Sequence, residues 1–124
     1  MAQEAAPGLV QTTEFFNIVY TAGATIVARF MRLSDQFILD DDDNTFKADA
    51  DACTDPDHNA TENADLGDGT ESFYLVSVAR TVFEPSLKPS QHVVQFRDGD
   101  GNILATEDFW VQSGQRILPP NGRL

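Results

Sequence analysis

Cysteine and long apolar runs are both scarce in this chain. Its single cysteine, Cys53, excludes an intramolecular disulfide and a zinc site built from several thiolates. No apolar run approaches the roughly 18 residues of a membrane-spanning helix. The first seven residues lack the basic and apolar regions of a secretory signal. We therefore expect synthesis in the cytoplasm, no secretion and no membrane partner.

Basic residues are also few, with 8 Lys and Arg against 20 Asp and Glu, so the net charge is -12. This charge repels phosphate backbones and anionic lipid surfaces over a Debye length of roughly 8 Å. Nucleic acid is therefore excluded as an expected partner class. Basic protein surfaces and cations remain compatible with the acidic surface.

Catalytic motifs are missing as well. The two histidines, His58 and His92, stand in no motif that places a base beside a nucleophile, and the chain has no phosphate-binding glycine loop. Acidic pairs are abundant, so a two-carboxylate hydrolase stays formally open. Because no insertion large enough to build a cleft is evident, we expect a protein that is not an enzyme.

What the chain does have is a series of short segments rich in β-branched and aromatic residues, which predict strands. Helical spacing in residues 24–33 leaves a helix as the alternative there, and Asp-Gly within residues 98–102 predicts a hairpin turn. Several short strands with turns between them predict an all-β fold, an antiparallel sandwich that is immunoglobulin-like or a related barrel. The predicted strands cover residues 14–20, 24–33, 37–39, 45–47, 71–80, 92–97 and 103–111.

The chain divides into one β-sandwich domain at residues 14–112, an N-terminal arm at 1–13 and a C-terminal tail at 113–124. Residues 49–70 of the domain form a long acidic surface loop. The arm and the tail hold few large apolar side chains to offset the entropy of ordering them, so we expect contacts with other chains to order them. The partner-binding candidates are Leu9, Val10, Trp110, Ile117 and Leu118.

One acidic segment partly matches a calcium loop. Asp40, Asp42, Asn44 and Asp51 occupy positions one, three, five and twelve of such a loop. However, Thr45 stands where the loop needs glycine, position twelve lacks the bidentate Glu, and the flanking segments are predicted strands. The pattern favours a solvated turn without a cofactor, with weak calcium binding by these four residues as the alternative.

Four segments in a particular order resemble a known class of modules: Ala-Thr-Ile-Val-Ala-Arg-Phe at 24–30, Asp-Asp-Asn-Thr-Phe-Lys-Ala at 42–48, Ser-Phe-Tyr at 72–74 and Val-Val-Gln-Phe-Arg-Asp at 93–98. This order resembles the β-sandwich modules of virion structural proteins in tailed bacteriophages, which include capsid-decorating and fibre-like proteins. The resemblance covers residues 24–112 at the level of pattern. It implies a virion component that decorates and stabilises the capsid, with the major capsid protein and other copies of itself as partners.

A second hypothesis comes from the last predicted strand. Phe109 and Trp110 are neighbours in the sequence and therefore face opposite sides of the sheet. If Trp110 is exposed, it could stack on a sugar ring. The alternative function is thus a carbohydrate-binding or adhesion module, and burial of Trp110 under the C-terminal tail is the competing structural prediction.

Overall fold

The computed structural model describes residues 13–83, 90–112 and 115–117, and this part of the chain forms two antiparallel β-sheets that pack together. The predicted all-β sandwich is confirmed. The strands are β1 (Thr13–Thr21), β2 (Ile26–Arg32), β3 (Phe37–Leu39), β4 (Phe46–Lys47), β5 (His58–Asn59), β6 (Thr61–Asn63), β7 (Glu71–Ala79), β8 (Ser90–Asp98), β9 (Ile103–Gln112) and β10 (Gln115–Ile117). Within these described residues, three short 3-10 turns lie at Ala50–Ala52, Ala64–Leu66 and Arg80–Val82. None of the described segments is a helix long and apolar enough to cross a membrane.

The larger sheet has the strand order β10-β9-β8-β2-β3-β4. Strand β2 pairs with β8 along its whole length, while β3 and β5 share its other side. Its side chains at 26, 28 and 30 are buried and those between them are partly exposed. This alternation is the strand pattern that the sequence predicts, so the helical alternative for residues 24–33 is wrong.

The smaller sheet has the order β1-β7-β6. Strands β1 and β7 pair without a break from Thr13 opposite Ala79 to Thr21 opposite Glu71. The apolar residues on both faces of β7 are consistent with its central position. At the end of β1, the hydroxyl of Tyr74 donates to the carbonyl of Thr21 at 2.5 Å and accepts from the N–H of Ala24 at 3.0 Å, which fixes the turn into β2.

The core lies between the two sheets and is built around aromatic rings. Phe16 of β1 lies 4.9 Å from Phe30 of β2 and 4.8 Å from Phe109 of β9, measured between ring centroids. Each of these rings is almost fully buried. Burial of such a side chain contributes about 1.5 to 3 kcal/mol, so the packing of these rings stabilises the contact between the two sheets.

The structure differs from the sequence prediction in the acidic loop and in the tail. Residues 49–70 are not one irregular loop, because they include β5, β6 and two of the 3-10 turns. Residues 115–117 of the predicted tail form β10, which pairs with Trp110–Gln112 and so extends the larger sheet. Leu9, Val10 and Leu118 lie outside the described residues, as do residues 84–89.

Candidate functional site

The four candidate calcium ligands differ in their exposure to solvent. Asp40 is completely buried, whereas Asp42, Asn44 and Asp51 are exposed. Asn44 takes a left-handed backbone with φ of 61°, and Asp51 lies in the 3-10 turn at Ala50–Ala52. In the described part of the chain, no group of three or more His, Cys, Asp or Glu side chains is arranged to hold a metal ion.

Asp40 is instead the centre of a protein-only polar site. Its Oδ2 accepts from the Nζ of Lys47 at 2.8 Å and from the N–H of Thr54 at 2.9 Å. Its Oδ1 accepts from the N–H groups of Asp42 and Asp55, both at 3.0 Å. The hydrogen bond from Lys47, together with the three N–H groups, holds the pKa of Asp40 well below its usual range. The ammonium of Lys47 therefore neutralises the carboxylate that the calcium hypothesis assigned to a metal.

Two further contacts hold the acidic loop against the larger sheet. Arg29 of β2 binds Asp57, with its Nε and Nη2 atoms 3.0 and 2.9 Å from Oδ1. The buried ring of His58 lies with Nδ1 3.1 Å from Oδ1 of Asp41 and Nε2 3.3 Å from the carbonyl of Leu39. These contacts join β3 and the loop after it to β2 and β5, so the charged groups of this region support the fold.

The remaining histidine and the cysteine are also structural. His92 is buried and its ring stacks on Phe109 at a centroid distance of 5.3 Å. Burial lowers the pKa of His92, which favours the neutral imidazole. Burial, followed by the charge of Asp40, raises the pKa of Cys53 and keeps it a weakly reactive thiol.

Two concave regions of the described chain are not enclosed pockets of the size typical for ligands. A groove of about 200 Å³ on the outer face of the larger sheet is smaller than the 300 to 1,000 Å³ typical of ligand pockets. A cleft of about 400 Å³ beside the β1–β2 turn is wide open to solvent and holds no histidine or cysteine. The groove is lined by Arg29, Met31, Ile38, Val93, Gln95 and Arg97.

Trp110, the candidate for sugar stacking, is partly buried. Its backbone lies between Gln91 of β8 and Ile117 of β10 in the strand register. Strand β10 therefore runs beside its backbone in the same sheet, and burial of the ring under the tail stays a prediction. The neighbouring Phe109 belongs to the core, as the alternation of the strand requires.

Two of the four large apolar side chains that are exposed in the described residues lie on one strand of the smaller sheet, and the other two are Leu66 in a 3-10 turn and Ile103 in β9. Phe15 and Val19 of β1 are 49% and 44% exposed and point away from the core. Val19 lies opposite the partly exposed Phe73, and Asn17 lies opposite the partly exposed Leu75. We call Phe15, Val19, Phe73 and Leu75 the outer stripe.

Sequence reasoning missed the outer stripe, although a signal for it was present. Phe15 and Phe16 are consecutive in a strand, so only one of the two rings can face the core. A strand with bulky apolar residues on both faces is either covered on both sides or has a face available to a partner. Within the described residues, nothing covers Phe15 and Val19.

No protein-family model, curated protein or solved structure matches the chain. The function is therefore inferred from the surface and the contacts of the chain itself.

Proposed function

We propose that this protein is a non-enzymatic structural subunit of a virion, a decoration protein that binds and stabilises the capsid lattice of a tailed bacteriophage. The resemblance of residues 24–112 to virion modules supports this class, and the β-sandwich is the fold that the resemblance implies. The observation that carries the proposal is the outer stripe, in which Phe15 and Val19 remain about half exposed.

The outer stripe supports a binding role because exposed apolar surface is stabilised when a partner covers it. Each Å² of apolar surface removed from water contributes about 25 cal/mol. Scattered apolar side chains are ordinary on a protein surface, but neighbouring ones on two paired strands form a patch suited to protein contact. The stripe is therefore the surface that we assign to assembly.

The polar groups support a structural role rather than catalysis. The buried carboxylate of Asp40 is bound by Lys47 and three backbone N–H groups. His58 contacts Asp41 and a backbone carbonyl, and His92 is packed among aromatic rings. A general base must reach its substrate, and burial keeps both histidine rings from doing so.

The charge of the chain supports a position on the outside of the particle. A net charge of -12 repels packaged nucleic acid, whereas the outer stripe offers contact without charge. The partners that we propose are the major capsid protein and other copies of this chain. The site of action is then the virion.

The carbohydrate-binding alternative required an exposed ring at Trp110. The side chain there is partly buried, with β10 beside it. We therefore propose only the structural role.

Mass spectrometry of virions purified from the source organism tests the proposal. Particles should be purified on two successive gradients, and peptides of this chain should be present after each one at the same ratio to peptides of the major capsid protein. Absence of the chain from intact particles would overturn the proposal.

Stripping and rebinding the protein then tests the surface. The variant Phe15→Ser should rebind stripped particles much more weakly than the wild type, because it removes the largest exposed ring of the stripe. Ile103→Ser is the matched control, since Ile103 is 57% exposed but belongs to the larger sheet. Equal loss in both variants would show that the stripe has no special role.

A further inference from the structure

Strand β1 is an unusually open sheet edge. It is nine residues long, pairs with β7 on one side, and has no other strand partner in residues 13–83, 90–112 or 115–117. Its sequence, Thr-Glu-Phe-Phe-Asn-Ile-Val-Tyr-Thr, contains no proline, glycine or lysine, and its register with β7 has no bulge. Proline, lysine and bulges are devices with which proteins usually prevent an edge from pairing with another chain. The one such device in β1 is the inward-pointing charge of Glu14 at its start.

The other described edges have such protection. Strands β4 and β6 are only two and three residues long, and β4 ends in Lys47. The edge of β9 has a register shift between Ile103 and Ala105, carries the exposed charges of Glu107 and Asp108, and is covered by β10 at its far end. The contrast identifies β1 as the edge suited to strand addition.

The occupant that β1 fits best is a second copy of itself. Phe15 and Val19 lie two residues before and two residues after Asn17. In an antiparallel pair centred on Asn17, Phe15 of each copy lies opposite Val19 of the other, at a Cβ distance of about 4.5 to 5.5 Å. If the register between the two copies shifts by two residues in either direction, Phe15 faces Asn17 or Thr21 of the other copy and fewer residues are paired. A shift of one residue places the outer face of one copy beside the inner face of the other.

The charge distribution also favours this pairing. Two copies with a net charge of -12 each repel one another, so they can meet only where acidic groups are few or neutralised. The single charged residue of β1 is Glu14, which is buried and bound to Arg80 at 3.1 Å and to Arg116 at 3.7 Å. In the pair centred on Asn17, Glu14 lies opposite Tyr20 and no acidic residue faces another.

We infer that two copies of the chain join through β1, antiparallel about a two-fold axis at Asn17, and merge the two three-stranded sheets into one six-stranded sheet. This contact is isologous and therefore closes as a dimer. The inference rests on the proposed function for the role of the dimer, which presents two capsid-binding surfaces at once and so gains avidity on a lattice. The pairing itself depends only on β1.

Cysteine cross-linking tests the axis directly, in a Cys53→Ser background that leaves no other thiol. In the inferred dimer the Cα atoms at position 17 of the two copies are about 4.5 to 5.5 Å apart, within the range of a disulfide. Asn17→Cys should therefore form a disulfide-linked dimer under mild oxidation. Thr21→Cys is the matched control, because its two copies are separated by about 26 Å along the strands and should not cross-link.

The solution mass provides the second measurement. Sedimentation equilibrium of the wild type should give a mass of two chains of 13.6 kDa, and Phe15→Lys/Val19→Lys should give one, because lysine then faces lysine. Phe15→Lys/Val19→Glu should restore the dimer, since lysine then faces glutamate at both symmetric positions. Cooperative melting of each variant checks that it is folded.

A monomeric wild type at high micromolar concentration would overturn the inference, as would equal cross-linking at positions 17 and 21. If the chain is present on virions but does not cross-link at position 17, the dimer is wrong and the proposed function stands. If it cross-links at position 17 but is absent from virions, the dimer stands and the proposed function is wrong.

Discussion

Two turns of this protein have the same polar pattern and different structural roles. Residues 40–44 and 98–102 both carry Asp, Asp and Asn at alternate positions. In both, the first carboxylate accepts a hydrogen bond from the N–H two residues later, at 3.0 Å for Asp40 and 2.9 Å for Asp98. Beyond that local contact they diverge, because Asp40 is buried and binds distant groups while Asp98 binds only its own turn.

The difference lies in what the rest of the chain brings to each carboxylate. Lys47 and the backbone of Thr54 and Asp55 reach Asp40 from the following strand and loop. Asp98 accepts from the backbone N–H and side-chain amide of Asn102 in addition to its local bond, so its partners lie in its own turn. A buried charge is stable only when it is paired and fully hydrogen-bonded, so Asp40 organises a region and Asp98 shapes one turn.

The largest expected effect is the loss of Asp40. We expect Asp40→Ala to lower the Tm by roughly 10 °C or more, because it leaves Lys47 and three N–H groups without their acceptor. Asp98→Ala should lower the Tm by about 5 °C, the effect of losing a local cap. Thermal melts followed by circular dichroism measure both.

A double-mutant cycle sharpens this prediction. Lys47→Met should also be strongly destabilising, since it leaves a buried carboxylate without its cation. The double variant Asp40→Ala/Lys47→Met should lose less stability than the sum of the losses in Asp40→Ala and Lys47→Met. Strict additivity would contradict the assignment of Lys47 as the partner of Asp40.

Acid provides the next contrast. The folded pKa of Asp40 is lowered, so the unfolded chain takes up the proton first as the pH falls. The stabilisation by Asp40 is therefore complete above the ordinary aspartate pKa of about 3.9 and is lost as the pH falls further. We expect the difference in Tm between the wild type and Asp40→Asn to stay constant from neutral pH down to about pH 4 and to narrow as the pH falls further, and a difference that widens in acid would contradict the assignment.

The backbone of the exposed turn gives a smaller effect. Gly101 has φ of +87°, whereas a Cβ at Gly99 would make ordinary contact with Thr25 at 3.7 Å. We expect Gly101→Ala to cost about 1 to 2 kcal/mol of unfolding free energy and Gly99→Ala less than about 0.5 kcal/mol. Urea denaturation of the two variants measures the difference, and equal losses would show that the turn adopts another backbone.

The smallest effects on stability are expected for Asp42 and Asp51, the two remaining acidic residues among the candidate calcium ligands. Asp42 and Asp51 have exposed side chains, and their carboxylates make none of the hydrogen bonds or ion pairs that hold the loop. Asp42→Ala and Asp51→Ala should each change the Tm by less than about 3 °C. Thermal melts with and without millimolar calcium complete the comparison. A rise in Tm on addition of calcium that either substitution abolishes would support a metal site.

The sequence predicts the parts of this fold that depend on near neighbours. The hairpin at residues 98–102 follows from Asp-Gly, and the buried face of β2 follows from the alternation of Ile26, Ala28 and Phe30. Burial of Asp40 could not be predicted, because Thr54 and Asp55 are 14 and 15 residues away in a polar segment. Strand β10 could not be predicted either, because glycine and proline around residues 115–117 indicate irregular chain.

Hydrogen exchange at the amides of Thr54 and Asp55 tests most directly whether Asp40, rather than a cation, holds the acidic loop. The two amides donate to the buried carboxylate at 2.9 and 3.0 Å. They should be protected in the presence of a chelator, keep the same protection when calcium is added, and lose it in Asp40→Ala. Protection that arises only after calcium is added would contradict this account and assign the loop to the metal.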